Sequence, residues 1–268
     1  MTRVWIDGQL VPSEQATISV IAPGVQLGLG VFEALSVVEG EAFALTRHLR
    51  RLARSAEIVD LTVPFTDFEL REAVAMVLAA DPQATKVRIT VSASPGDAAP
   101  AVVVNGVRRA DWSATARVVL SPYVRNERSP STGAKTTSYA DNVLALSAAR
   151  RTGADEALLC DSNGYLSEGT ASNVFLAVDG ELCTPSLANG GLGGMTRELL
   201  CEIIPVHLRD DITVAELRAA PEVFITSSTR GVHPVEHIDG VTVPLCPGPL
   251  TAAAAEAFAA LRAHTLDP

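Results

Sequence analysis

Glu156-Ala-Leu-Leu-Cys-Asp161 is followed at once by Ser162-Asn163-Gly164 and then by Tyr165-Leu166-Ser167. An Asn-Gly pair between two apolar runs is a strong hairpin signal, because both central residues of a type I′ turn need positive φ. The pattern returns directly downstream, where Val174–Val178 leads through Asp179-Gly180 into Leu182–Thr184. Successive hairpins build antiparallel sheet, unlike the strict strand–helix alternation of a doubly wound parallel fold. Helices are expected around this block: over 139–151 with Gly153 as its stop, over 195–203 after a glycine-rich turn, and over 251–264 in an alanine-rich run. The fold class that follows is α+β.

Upstream, Val4–Ile6 and Gln9–Pro12 flank Asp7-Gly8 as another hairpin, and Gly30–Val38 is a strand that turns at Glu39-Gly40. A helix is expected after Thr46, its candidate N-cap, with Leu49, Leu52, Ala53, Ala56 and Ile58 as the apolar stripe. A second helix spans 68–80 with Thr66 as its cap, and strands are expected over 86–92, 101–104, 117–120 and 222–226. From Ser121 to Ala134 the composition turns to Pro, Ser, Asn, Arg and Gly, which marks a connection. The expected organisation is a first domain over 1–120, a connection over 121–134 and a second domain over 135–268.

The chain has 268 residues, net charge −10 and 47% hydrophobic residues, enough to bury a sizeable core. The acidic balance argues against a nucleic-acid backbone as partner. No apolar run reaches the ~18–20 residues that cross a bilayer, and Met1-Thr-Arg-Val-Trp-Ile6 lacks a signal peptide's apolar stretch. Cys160, Cys183, Cys201 and Cys246 are widely spaced and the histidines do not cluster, so no metal site is expected and the cytoplasm is the expected compartment.

Among 19 arginines stand only two lysines, Lys86 and Lys135. Arginine stays protonated, whereas a desolvated lysine amine can lose its proton and condense with an aldehyde. Base composition accounts for lysine scarcity equally well, so the surroundings decide. An aldehyde cofactor such as pyridoxal 5'-phosphate needs a lysine, a carboxylate for its ring nitrogen and a cradle for its phosphate. Glu168, just past a hairpin strand, is the candidate carboxylate; the alternative is a glutamate facing water. Gly190-Gly-Leu-Gly-Gly-Met195-Thr196-Arg197 opens a helix, where free N–H groups and the dipole favour an anion. Thr196 adds a hydroxyl, Ser227-Ser228-Thr229 a second hydroxyl group, and Arg51 a charged partner. Arg51 also fits a solvated face shared with Arg47, Arg50 and Arg54. Strand alternation places Arg88, Thr90 and Ser92 on one polar face, so Arg88 is the candidate for a substrate carboxylate or, equally, a surface arginine.

Taken together, Lys135-Thr-Thr-Ser-Tyr139, Ala154-Asp-Glu-Ala-Leu158, Gly164 to Phe175, Gly193-Gly-Met-Thr196-Arg197, Val31 to Leu35 and His48 to Ala56 resemble the class IV (fold-type IV) pyridoxal-phosphate enzymes. That family includes branched-chain and D-amino-acid aminotransferases and 4-amino-4-deoxychorismate lyase. The resemblance implies a small N-terminal α/β domain, a larger mixed C-terminal domain carrying Lys135, and a homodimer. It makes Lys135 the Schiff-base lysine and proton shuttle and Glu168 the partner of the ring nitrogen. Arg51, Thr196, the N–H of Met195, and Ser228 match the phosphate-binding positions. Tyr139 would reach the ring oxygen, Asn173 would support the Glu168 loop, and Glu33, which stands where many transaminases of the class carry glutamate, would bind substrate together with Arg88. The segment Ala22 to Gly30 lacks the aspartate, basic residues and tyrosine common there, so the resemblance defines the substrate less well than the cofactor. The expected activity is transfer of an amino group between a small amino acid and a 2-oxo acid. The alternative is the lyase, which releases pyruvate and p-aminobenzoate.

Overall fold

The Asp7-Gly8 pair closes a two-residue hairpin between strands β1 (Arg3–Ile6) and β2 (Gln9–Pro12), with φ of 45° and 93° at its centre. This is a computed structural model that describes residues 2–108 and 112–268. A short helix α1 (Pro23–Gln26) precedes strand β3 (Gly30–Val38), which turns into β4 (Glu41–Ala42). Helices α2 (Leu45–Ile58) and α3 (Asp67–Ala80) follow, then strands β5 (Lys86–Ser92) and β6 (Ala101–Val107). The six strands form one sheet in the order β2-β1-β6-β5-β3-β4. Leu35, Leu49, Leu52, Val77, Ile89 and Val104 pack into its core.

Helix α3 carries the expected Thr66 cap, completed by Glu69 as a capping box. Helix α2 departs from expectation at its start. Its N-cap is Ala44, in the left-handed region at φ 56°, and Thr46 is already inside the first turn. The carboxylate that serves this helix end belongs to Asp267, which accepts from the Thr46 N–H at 2.8 Å and from its hydroxyl. The buried stripe of α2 is His48, Leu49, Arg51, Leu52, Ser55 and Ala56, whereas Ala53 and Ile58 are exposed. Two basic side chains on the buried face of an amphipathic helix mark it as more than packing.

The remaining elements are β7 (Ala116–Val124), α4 (Ala140–Arg151), β8 (Glu156–Cys160), β9 (Leu166–Gly169), β10 (Asn173–Val178) and β11 (Glu181–Pro185). Then come α5 (Met195–Ile203), β12 (His207–Arg209), α6 (Val214–Ala219), β13 (Val223–Ser227), β14 (Gly231–Ile238), β15 (Val241–Thr242) and α7 (Pro249–His264). Their sheet runs β12-β11-β10-β13-β14-β7-β8-β9, with β15 against β14. Leu158, Leu166, Val174, Leu176, Ile225 and Val235 fill the core. Antiparallel hairpins dominate, with parallel pairs β7–β8, β7–β14 and β11–β12, which is the α+β architecture expected.

The chain divides into two compact units, one of Met1–Ala110, Ala134–Tyr139 and Thr265–Pro268, the other of Asp111–Gly133 and Ala140–His264. Two features separate this from a division into 1–120 and 135–268. Strand β7 runs through Pro122 to Val124, inside the proline- and serine-rich stretch. The 134–139 segment belongs to the first unit because it hydrogen-bonds there: Phe32 N–H donates to Lys135 O at 2.9 Å, and Thr137 N–H to Gly30 O at 2.8 Å.

Candidate active site

Lys135, Tyr139, Arg88, Arg51 and Glu33 lie in the first unit. The backbone of Lys135 is fixed twice, by its carbonyl to Phe32 and by its N–H to Ser55 Oγ at 3.0 Å. Thr136 forms a bridge with Val31, so residues 135–137 extend the sheet along the start of β3. This register aims the amine at an aromatic platform: Lys135 Nζ stands 4.6 Å from the centre of the Phe32 ring and 5.7 Å from that of Tyr139. Phe32 and Tyr139 meet edge to face, with centroids 5.6 Å apart. The same Phe32 ring supports the Arg88 guanidinium at 3.7 Å.

Arg88 is half-buried, and its Nε donates to Thr90 Oγ1 at 3.0 Å. Among the described residues no carboxylate pairs with it. Burial pushes its pKa down, offset by neighbouring Tyr139, although a guanidinium stays charged at any ordinary pH. A half-buried cation without an acidic partner is suited to an anion.

Arg51 is not on a solvated face: it is buried, as are Glu33 and His48. Its Nε and Nη2 fork onto the two oxygens of Glu33, each at 2.7 Å, and His48 Nδ1 lies 2.6 Å from Glu33 Oε2. Burial alone would raise the Glu33 pKa, but Arg51 and His48 outweigh it and hold the carboxyl at about 2. Burial keeps His48 neutral by lowering its pKa, so the ring donates its Nδ1 proton to the carboxylate. Glu33 therefore stands as the anchor of Arg51 and His48, fully enclosed, and its carboxylate has no surface to offer a substrate.

Glu168, Asn173, Met195, Thr196 and Ser228 lie in the second unit. Glu168 lies inside β9, one residue before its end and not just past the strand as expected. Its carboxylate is held from two sides: Arg125 Nη2 bonds Oε1 at 2.9 Å, and the Leu192 N–H donates to Oε2 at 2.9 Å. Arg125 also reaches Asn142, whose Nδ2 donates to Thr170 O at 2.6 Å. Asn173 was expected to support the Glu168 loop; its Nδ2 donates to Leu192 O at 2.8 Å, so it steadies the glycine-rich turn and through that turn the carboxylate. A Cβ on Gly194 would collide with Asn173 Oδ1, which is why this turn needs glycine at the mouth of α5. No side chain caps α5, and Met195 and Thr196 are buried in its first turn. A buried helix start without a side-chain cap is suited to an anion. Ser228 opens the three-residue turn between β13 and β14, whose strands pair at Ser227 and Gly231.

Phe32, Arg125 and His48 were missed as site residues. Phe32 and His48 stood inside quoted motifs but carry no reactive group at that spacing to single them out. Arg125 lies in the proline- and serine-rich stretch, where an arginine carries no signal until its partner is known.

Residues 30–238 match the family described as amino-transferase class IV. The chain belongs to that family. A D-alanine aminotransferase of Listeria monocytogenes is 32% identical over 267 residues, covering 90% of this chain and 89% of the relative. Among solved structures, a branched-chain aminotransferase from Thermoproteus uzoniensis with norvaline aligns with TM-score 0.87 at 31% identity, over 96% of this chain and 93% of that one. A T.th. branched-chain amino acid aminotransferase with pyridoxamine 5'-phosphate aligns with TM-score 0.89 at 27% identity, over 100% and 95%.

Proposed function

We infer that this class IV aminotransferase moves an amino group between a small amino acid and a 2-oxo acid with pyridoxal 5'-phosphate. The observation that carries the reading is the Phe32 ring, against which the Lys135 amine and the carboxylate-free Arg88 guanidinium both lie. An α-amino acid carries its amine and carboxylate on one carbon: the Arg88 guanidinium suits the carboxylate, and the Lys135 amine on the same ring is placed to exchange a proton with that carbon. The named relatives are aminotransferases, which favours transamination over the lyase reaction.

Each of the expected donors is of a kind that the cofactor uses. The uncapped start of α5, with Thr196 and the Met195 N–H, and the Ser228 turn supply phosphate donors. Glu168 supplies the charge for a ring nitrogen, Tyr139 a hydroxyl for the ring oxygen, and Lys135 the amine. When bound, the group supplies an aldehyde for the amine and a ring that accepts the electron pair left as a Cα proton departs. Lys135 Nζ takes that proton and later returns it, on a platform that keeps water from one side of the amine. Glu168, held ionic by Arg125 and the Leu192 N–H, retains the proton on the ring nitrogen. Arg88 orients the substrate through its carboxylate. The charge of Arg51, its orientation set by Glu33 and His48, is likewise of a kind that suits a phosphate.

The same reading assembles the protein as a homodimer and places it in the cytoplasm. Five exposed apolar side chains between Ile18 and Leu27 support the first, and four free cysteines the second. Among the described residues no helix is long and apolar enough to cross a membrane.

The test uses purified protein loaded with pyridoxal 5'-phosphate and mixed with L-branched-chain amino acids or D-alanine, following the cofactor's absorbance and the 2-oxo acid formed. Lys135→Ala is expected to lose covalent attachment, read by mass after borohydride reduction, and at least ~100-fold in turnover. Arg88→Gln is expected to raise KM for amino acids ~10- to 100-fold, since a hydrogen bond to a charged group contributes ~1.5–3 kcal/mol. An amine without a carboxylate should show no such rise. Retained attachment in Lys135→Ala, or pyruvate and p-aminobenzoate released from aminodeoxychorismate with no transamination, would falsify the reading.

A further inference from the structure

The turn that carries Ser228 is tied to the turn that follows Glu168 by a buried ion pair. Arg230 Nη2 lies 3.3 Å from Glu156 Oε2, with the side chains 5% and 0% exposed. Glu156 is a hub. Its Oε1 accepts from the Ala157 N–H at 3.1 Å, from the Thr170 N–H at 3.1 Å and from the Thr170 hydroxyl, while Oε2 accepts from Ser172 Oγ at 3.1 Å. Thr170 and Ser172 belong to the tight turn after Glu168, closed by the Gly169 N–H to Ser172 O at 2.7 Å. A Cβ on Gly169 would strike Ser172 Oγ, so glycine there lets the turn fold against the Glu156 carboxylate.

The other end is held as firmly. The Arg230 guanidinium stacks over Trp112 at 4.0 Å, and Trp112 Nε1 donates to Thr229 O at 3.0 Å. The Arg230 N–H donates back to Ser227 O at 3.2 Å, which closes the turn around Ser228. Neither Glu156 nor Arg230 takes part in the chemistry described above. Removing one member of a buried charge pair leaves the other uncompensated, so such pairs hold geometry strongly.

We propose that Arg230 and Glu156 are positioning residues that fix the Ser228 turn relative to the Glu168 turn, so that the phosphate end of the cofactor is bound in register with its ring. The proposal rests on the reading that Ser228 and Glu168 hold the cofactor. It makes Arg230 act on the phosphate's contribution to affinity, not on cofactor affinity at large.

The test titrates apo-protein with pyridoxal 5'-phosphate and, separately, with pyridoxal, which lacks the phosphate. The ratio of the two Kd values is the phosphate's contribution. Arg230→Met is expected to raise Kd for the phosphorylated form more than ~10-fold and to change Kd for pyridoxal less than ~3-fold. Arg230→Lys, which keeps the charge but not the planar fork, is expected to shift the ratio the same way by less, and it decides the matter should the methionine variant not fold. Adding Glu156→Gln to Arg230→Met should cost the ratio little more than Arg230→Met alone, because the two act as one unit. A ratio equal to wild type in a folded Arg230 variant, or equal losses for both ligands, overturns the proposal alone. A wild-type protein that binds the phosphorylated form no better than pyridoxal overturns the phosphate reading and the proposal with it.

Discussion

Glu33 bears a full negative charge where water does not reach, and Arg51 is the reason it can. Burial works against the charge, but the guanidinium fork and the His48 ring bring the carboxyl down to about 2. Because this pKa lies below its ordinary value of 4.5, the stabilisation is complete above pH 4.5 and drains away as pH falls towards 2. His48 adds to the same slope from a higher starting point. Its pKa is lowered from 6.5, so the unfolded chain takes up the proton first as pH drops below that value. The melting temperature is therefore expected to fall steadily on acidification from pH 6.5, and His48→Gln should flatten the upper part of that decline in a calorimetric series. Glu33→Gln removes one partner of a buried pair and is expected to cost ~3–5 kcal/mol in urea unfolding at pH 7. A loss under ~1 kcal/mol would mean that the Arg51 anchor matters little to the fold.

At the level of elements, the start of α2 is completed by the far end of the chain. Asp267 reaches the Thr46 N–H from 221 residues away, and Ala44 N–H donates to Leu266 O at 2.6 Å. Asp267→Asn keeps the shape and loses the charge at a helix N-terminus, with an expected cost of ~1 kcal/mol. Hydrogen exchange should locate the loss at residues 45–48; uniform loss of protection, or none, would refute a local cap. Sequence reading missed this cap because its donor is local and its acceptor is not, and the nearby threonine offered a false local answer. Thr66 was legible because its partner Glu69 is three residues on. The hairpins at Asp7-Gly8, Glu39-Gly40 and Asp179-Gly180 were legible for the same reason, each turn being a dipeptide with positive φ at both residues. Asn163-Gly164, by contrast, sits inside a five-residue loop, 161–165, in which Gly164 has positive φ and Asn163 does not. Strand β14 was overlooked: Pro234 interrupts an otherwise alternating pattern, and proline argues against a strand until the neighbouring β13 is seen to pair with it. Lys135 stood out by its rarity and its company, whereas Arg125, Glu156 and Arg230 gain meaning only from partners brought to them by the fold.

For the molecule as a whole, net charge −10 keeps copies of the chain apart in solution, so any stable assembly needs a surface with another character. The segment before β3 has it. Ile18, Val20, Ile21, Val25 and Leu27 are 42%, 77%, 64%, 54% and 76% exposed, with no charged residue among positions 18–27. Gly28, directly after, accepts Thr137 Oγ1 at 2.7 Å and Ser138 Oγ at 3.0 Å, which ties the apolar segment to the strand-like stretch that bears Lys135. Covering this segment with a second copy would bury apolar surface worth ~25 cal/mol per Å² and steady the Lys135 backbone together. The wild-type protein is accordingly expected to scatter light at twice its 28.1 kDa chain mass at micromolar concentration. Val20→Glu combined with Leu27→Glu should move it to the single-chain mass and lower turnover, because the Gly28 contacts to Thr137 and Ser138 would lose their support. If the wild type already runs as a single chain under these conditions, or the double variant stays paired, this segment is not the interface.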